Sequence, residues 1–192
     1  MIDFKNITFI KSTKTLKDAP KGRYKEVLIV GRSNAGKSSL INALSERKSL
    51  AFTSSKPGHT KLLNYYEIDH TFYLVDAPGY GYAKGGVDLY SLFEEVMNNY
   101  LENNIYLKLA LLLIDSRREF NDNDDEMMSY FLNHNIQTLV IMTKSDKINQ
   151  SEKAKAIKHL KEKGIERYLF TSISNKKSIE DLRKEIELSL KS

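Results

Sequence analysis

The chain has 192 residues, of which 41% are apolar and 29% charged, and it carries no cysteine. That length suits one domain with a full core, and the missing cysteines exclude disulfides, thiolate metal sites and cysteine nucleophiles. A net charge of +5 and a pI near 9.1 suit an anionic partner such as RNA.

No apolar run approaches the ~18 residues of a membrane span, so no membrane partner is expected. The start, Met1-Ile2-Asp3-Phe4-Lys5, lacks a signal-peptide pattern and predicts a cytoplasmic protein. Residues 1–24 read as a basic N-terminal extension. It holds a short edge strand over Ile7-Thr8-Phe9-Ile10 and then a loop through Pro20 and Gly22.

The core of 25–190 opens on an apolar strand at 25–31 that runs into Gly31, Arg32, Ser33, Asn34, Ala35, Gly36, Lys37 and Ser38. A helix follows from Ser39 to about residue 45. Strand, glycine loop and helix together make G-x-x-x-x-G-K-[ST] a phosphate-binding loop. Its glycines let the backbone curl with N–H groups inward, and the helix N-terminus adds donors and a positive dipole end. Lys37 brings a charge to the β- and γ-phosphates and the Ser38 hydroxyl a ligand for Mg²⁺.

Residues 46–61 form a long polar connection, of a length that is usually functional or mobile. It contains Lys56, Pro57, Gly58, His59 and Thr60. Thr60 is the candidate to close on Mg²⁺ through its hydroxyl and on the attacking water through its carbonyl, although many loop threonines do neither. Residues 62–68 and 71–75 are rich in strand formers, and Asp69-His70 between them predicts an antiparallel hairpin. Asp76, Ala77, Pro78 and Gly79 then open a second glycine-rich loop. Asp76 can reach Mg²⁺ through water and the Gly79 N–H can bond a γ-phosphate; by itself the string also reads as a proline-glycine turn.

A helix at about 88–103 precedes a buried strand, Leu109–Ile114, whose continuous apolar character marks a parallel sheet. A second helix spans Asn121–Asn133, with Asp122, Asp124 and Asp125 at its N-terminus. The buried strand 139–142 ends at Thr143, Lys144, Ser145 and Asp146. A carboxylate at Asp146 accepts two bonds from the N1–H and 2-amino group of guanine, and adenine offers neither. The Lys144 stem can lie along the ring; the rival role for Asp146 is a helix N-cap. A lysine-rich helix at 150–163 ends at Gly164 as C-cap. Its Lys155, Lys158 and Lys161 share one face, either a solvated surface or an RNA contact. Strand 168–170 leads to Thr171, Ser172 and Ile173, whose N–H groups are candidates for guanine O6 or simply lead into the last helix. That helix docks through Ile179, Leu182, Ile186 and Leu190. The alternation predicts an α/β P-loop NTPase of Ras-like type. Its core is a mostly parallel six-stranded sheet with one antiparallel edge strand, with helices on both faces.

Taken together, Gly31–Ser38, Thr60, Asp76–Gly79, Thr143–Asp146 and Thr171–Ile173 resemble the five motifs of a translation-factor-class GTPase. Gly31–Ser38, Lys56–Thr60 and the string Asp-Ala-Pro-Gly-Tyr-Gly-Tyr-Ala at 76–83 are similar to the EngB family of bacterial ribosome-biogenesis GTPases, over roughly residues 5–190. His59, Lys61 and Ala77 depart from the usual family residues without removing a ligand. The resemblance implies a cytoplasmic, monomeric GTPase that binds GTP and GDP and acts on the large ribosomal subunit precursor and its rRNA. It also implies the catalytic set Lys37, Thr60 and Gly79. Tyr80 stands where Ras-like enzymes carry a water-orienting glutamine, which predicts slow intrinsic hydrolysis. Related GTPases with an asparagine at the position of Asn34 use K⁺ there, so Asn34 is a candidate K⁺ ligand; the alternative is an asparagine that bonds its own backbone.

Overall fold

The computed structural model describes residues 1–22, 24–51, 62–80, 89–102 and 104–191. The strands are β1 (Ile7–Thr13), β2 (Lys25–Gly31), β3 (Leu63–Ile68), β4 (Phe72–Asp76), β5 (Leu107–Asp115), β6 (Thr138–Thr143) and β7 (Tyr168–Phe170). The helices are α1 (Lys37–Ser45), α2 (Leu89–Leu101), α3 (Asp122–Asn133), α4 (Gln150–Glu162) and α5 (Lys176–Lys191), with short 3₁₀ turns at Leu16–Asp18 and Ser145–Lys147.

All the strands form one sheet in the order β1-β3-β4-β2-β5-β6-β7. β2 pairs in parallel with β4 and β5, β5 with β6, and β6 with β7. β3 is antiparallel to both β4 and β1. The sheet is therefore mostly parallel, as the sequence predicts, and the short N-terminal strand joins the six strands of the core as a seventh. The reversed strand is not at the edge, because the N-terminal segment extends to Thr13 and pairs outside it. A register shift between Phe9 and Lys11 is the kind of irregularity that blunts an exposed edge.

The apolar runs of the central strands feed two cores. Val27, Ile29, Leu111 and Leu113 face α1 and α5 through Leu40, Ile41, Leu182 and Ile186. Leu28, Val30, Leu112 and Val140 face α2, α3 and α4 through Val96, Met97, Phe131 and Leu160. Both faces are covered, which is why these strands do not alternate with polar residues.

Local chemistry fixes the ends of the helices. α3 and α4 start with capping boxes, Asn121 with Asp124 and Asn149 with Glu152. Past the end of α4, Gly164 adopts a left-handed φ of 69°. The Ile165 N–H then reaches the Leu160 carbonyl and the Gly164 N–H the Lys161 carbonyl, which is a Schellman stop. No helix among the described residues is long and apolar enough to cross a membrane. The right-hand half of this sheet, β4 to β7, directs its carboxyl ends to one edge, where ligands of open α/β sheets bind.

Candidate nucleotide-binding site

At that edge β2 ends in Gly31, and the chain passes through the loop to α1. Gly36 caps α1 with φ 98°, a left-handed value that a side chain would strain, and no side-chain hydrogen bond caps the helix. The helix begins when the Leu40 N–H bonds the Gly36 carbonyl at 2.8 Å. The first-turn donors before it are left for an anion. No acidic residue stands in that turn, and Lys37 is its first residue.

The loop after β4 lies alongside. Ala77 donates to the Ile29 carbonyl (2.9 Å), Tyr80 to Gly31 (3.4 Å) and Ser33 to Tyr80 (3.2 Å). A Cβ on Gly79 would sit 3.1 Å from Ser33 Oγ and 3.2 Å from Ser33 Cα. Only glycine lets this loop run against the phosphate loop without displacing it.

Asp76 ends β4 and is buried. Burial raises its pKa, while Lys37 and a bond from Asn64 pull it down. Its Oδ1 has no partner among the described residues. A buried acceptor left open beside a lysine suits a water of a hydrated cation. No group of three or more His, Asp or Glu side chains gathers among the described residues. A divalent ion here would thus lean on Asp76, Ser38, water and substrate phosphates, the usual manner of Mg²⁺. Thr60, with Pro57, Gly58 and His59, lies outside the described residues.

The other end of the site is stitched to the phosphate loop. Thr143 Oγ1 donates to the Ala35 carbonyl at 2.7 Å. Lys144, itself in a left-handed conformation at φ 56°, donates from Nζ to the Asn34 carbonyl and to Asp115, both at 2.9 Å. Its stem thus spans from the β6 loop to the phosphate loop. Burial would raise the Asp115 pKa, but Arg117 and Lys144 together hold the carboxyl well below the usual carboxylate range.

Asp146 follows, with its side chain 35% exposed. Ser172 Oγ donates to its Oδ1 at 2.7 Å, and that bond, ahead of Lys147, lowers its pKa. The carboxylate is held ionised with one edge toward solvent. The neighbouring loop differs from the sequence expectation. The Thr171 N–H is taken by the Met142 carbonyl and the Ser172 N–H by Ser178 Oγ. Of the three candidate donors to a base carbonyl, only the N–H of Ile173, an exposed residue, has no partner among the described residues. Ser172 acts through its hydroxyl on Asp146.

The sequence reading missed two carboxylates. Asp115 anchors Lys144, and Asp124 receives the Tyr80 phenol at 2.8 Å. For Asp115 a signal existed: it ends the apolar run of a buried parallel strand, where functional groups collect. For Asp124 there was none beyond its place in an acidic helix start.

Residues 26–144 match the sequence model of a family described as a 50S ribosome-binding GTPase. The chain is 39% identical over 168 residues to the probable GTP-binding protein EngB of Solibacter usitatus, covering 88% of each chain. It is 47% identical over 144 residues to that of Lactobacillus acidophilus, covering 75% of this chain and 74% of the relative. The chain belongs to the EngB family of GTP-binding proteins. As a member of that family it binds GTP and hydrolyses it, and the edge just described carries its P-loop. Solved structures agree in fold. A probable GTP-binding protein EngB superposes with a TM-score of 0.70 at 22% identity, over 86% of this chain and 98% of that one. Era, solved with MgGDPNP and nucleotides 1506–1542 of 16S ribosomal RNA, superposes with a TM-score of 0.63 at 25% identity, over 88% of this chain and 56% of that one.

Proposed function

We propose that this GTPase is a nucleotide-controlled switch in assembly of the large ribosomal subunit, acting in the cytoplasm as a monomer on the subunit precursor and its rRNA. The observation that carries the reading is the pairing of two carboxylates on one side of the sheet: buried Asp76 beside Lys37 with an oxygen left open, and half-exposed, ionised Asp146 held by Ser172. The first suits a hydrated cation on a triphosphate and the second suits guanine.

In this reading Gly31–Ser39 wrap the phosphates. Lys37 places its charge on the β- and γ-oxygens, and the Gly79 N–H bonds the γ-phosphate. Ser38, Thr60 and, through water, Asp76 hold Mg²⁺, which when bound neutralises phosphate charge. Asn34 is the K⁺ ligand. Asp146 reads the N1 edge of guanine, and the Lys144 stem supports the ring. The loss of a γ-phosphate contact at Gly79 is what lets nucleotide state change the surface.

The ribosomal part rests on the description of the matching family and on basic surface. Lys155, Lys158 and Lys161 are all exposed on α4. Buried Tyr80 favours a second reading, a nucleotide-gated ribosome-binding module whose own hydrolysis is slow and incidental.

The test is co-sedimentation with purified ribosomal subunits in GDP and in a non-hydrolysable GTP analogue. Pelleting with the large subunit in the analogue and release in GDP is expected, with steep loss as salt rises. Equal behaviour in both nucleotides overturns the switch, and absence from the large subunit overturns the partner.

A further inference from the structure

A second concavity lies beside the base-reading loop, between residues 116–120 and α4. It is a cleft of about 150 Å³, smaller than pockets for drug-sized ligands and suited to one ring. Its walls include the apolar side chains of Phe120, Met142 and Ala156. Two of the residues that line it, Ser116 and His159, each carry a buried polar atom, Oγ and Nε2, with no hydrogen-bond partner among the described residues. Ser116 is only 6% exposed. The Phe120 and His159 rings lie 5.9 Å apart. Buried hydroxyls and ring nitrogens are rarely left unpaired, so two in one small cleft point to a ligand with a polar edge.

The mouth is basic. Arg118 and Lys155 border it and have no ion-pair partner among the described residues. Of the other charges there, Arg117 is clamped on Asp115, and Glu152 accepts from the Asn149 N–H. Among the described residues at the mouth, Glu119 is then the one free carboxylate against two free cations.

We propose that this cleft receives one unpaired base of an RNA strand, with the flanking phosphates on Arg118 and Lys155. The inference rests on the ribosomal-RNA reading above and names its contact point. Flat base faces pack on apolar and aromatic walls, and single-stranded RNA presents such bases while duplex RNA hides them. Ser116 and His159 can each donate or accept, so they meet the edge of a base rather than a hydrocarbon. The mouth charges fit a phosphate on either side, and the apolar and aromatic walls fit the flat base between them, which an acidic peptide does not bring.

The experiment uses the full chain with GDP or GTP analogue bound. Fluorescence anisotropy compares a labelled single-stranded oligoribonucleotide, the same sequence as a duplex, and competition by adenosine and uridine monophosphates. Ultraviolet crosslinking of the wild type maps the contact. Ala156→Leu fills the cleft and Ser116→Ala removes one polar partner; thermal unfolding and labelled-GDP binding check both variants. The expected result is single-strand binding that crosslinks at Phe120 or His159. Ala156→Leu should weaken it on the order of tenfold, the loss of one stacked base, with duplex binding unchanged. Binding unaffected by a folded Ala156→Leu, or crosslinks confined to other surfaces, overturns the proposal. So does competition by a mononucleotide as tight as the strand, which would make the cleft a free-nucleotide site. Should Ala156→Leu not fold, the wild-type crosslink and Ser116→Ala decide. Continued pelleting with the large subunit alongside a negative RNA result would leave the proposed function standing and remove only the cleft.

Discussion

The phenol of Tyr80 donates a 2.8 Å hydrogen bond to the carboxylate of Asp124, and both groups are buried. The other Asp124 oxygen accepts from the Asn121 N–H, so this carboxylate closes the cap of α3 and ties it to the loop after β4. Burial first, and then Asp124, push the Tyr80 hydroxyl well above its ordinary pKa. A phenol so placed neither ionises nor turns out toward an attacking water. Tyr80 therefore holds the position of a water-orienting glutamine as a structural strut.

Tyr80→Phe should cost about 1–3 kcal/mol of stability, because it strands a buried carboxylate oxygen. Single-turnover GTP hydrolysis should change by less than about threefold, since that is well under the tenfold that 1.4 kcal/mol of transition-state stabilisation represents. Chemical denaturation and rapid-quench hydrolysis read the two effects. A folded Tyr80→Phe with hydrolysis down more than tenfold would place the hydroxyl in the chemistry.

Asp146→Asn should move preference from guanine to xanthine nucleotides. The amide keeps an oxygen for the Ser172 hydroxyl, now at 2.7 Å from Oδ1, and offers N–H where guanine needs an acceptor. A loss of roughly a hundredfold or more in GDP affinity is expected from leaving buried polar groups mismatched. Competition by GDP and xanthosine diphosphate measures it. Unchanged guanine preference would show that Asp146 does not read the base.

Much of this architecture was legible because its signals are local. Gly31 to Ser38 follow a strand and open a helix within one stretch of chain, so spacing alone placed the phosphate loop. Asp69-His70 marked the β3–β4 hairpin, and the unbroken run Leu109–Ile114 marked a strand covered on both faces. The misses involve partners far apart in sequence. Ile7–Ile10 read as an edge strand, but nothing near it says that its partner will be β3, which makes the reversed strand internal. Asp124 looked like an ordinary dipole-complementing residue of a helix start, because its partner Tyr80 lies 44 positions earlier. Ser172 was read for its backbone. Its hydroxyl became visible only when β6 and β7 brought two loops together, with the Ser145 N–H on the Thr171 carbonyl.

Glu26 lies at the opposite end of β2 from the nucleotide site and is buried, with no ion-pair partner among the described residues. Tyr100 donates to its Oε2 at 2.7 Å and Asn104 at 3.0 Å. Burial nevertheless outweighs both bonds and raises its pKa above the ordinary 4.5. The native state then holds this proton more tightly than the unfolded chain. Stability from this group is greatest below pH 4.5 and falls as pH rises through the raised value. Glu26→Gln should therefore be more stable than the wild type at pH 8, and the advantage should fade as pH drops toward 4.5. Urea denaturation across that range checks the slope. A variant less stable than the wild type at pH 8 would mean that the two hydrogen bonds outweigh burial.

Asn34 sits at the exposed turn of the phosphate loop with a left-handed φ of 67°. Its backbone carbonyl accepts from Lys144, but its side chain has no hydrogen-bond partner among the described residues. An asparagine that merely shaped the loop would bond neighbouring backbone, and this one does not. The side-chain carbonyl is thus free to accept from a cation. Charge grows between the β- and γ-phosphates during transfer, and an arginine finger commonly meets it. Tyr80 is fixed on Asp124 and brings no charge to that point. Turnover should accordingly be faster in potassium than in sodium at equal ionic strength, with the difference lost in Asn34→Ala. Lys144→Met gives an internal control. It releases the loop carbonyl without touching the amide, so it should weaken nucleotide binding while keeping the potassium preference. Equal rates in the two salts would remove the cation. A preference that survives Asn34→Ala would keep the cation and assign it to other ligands.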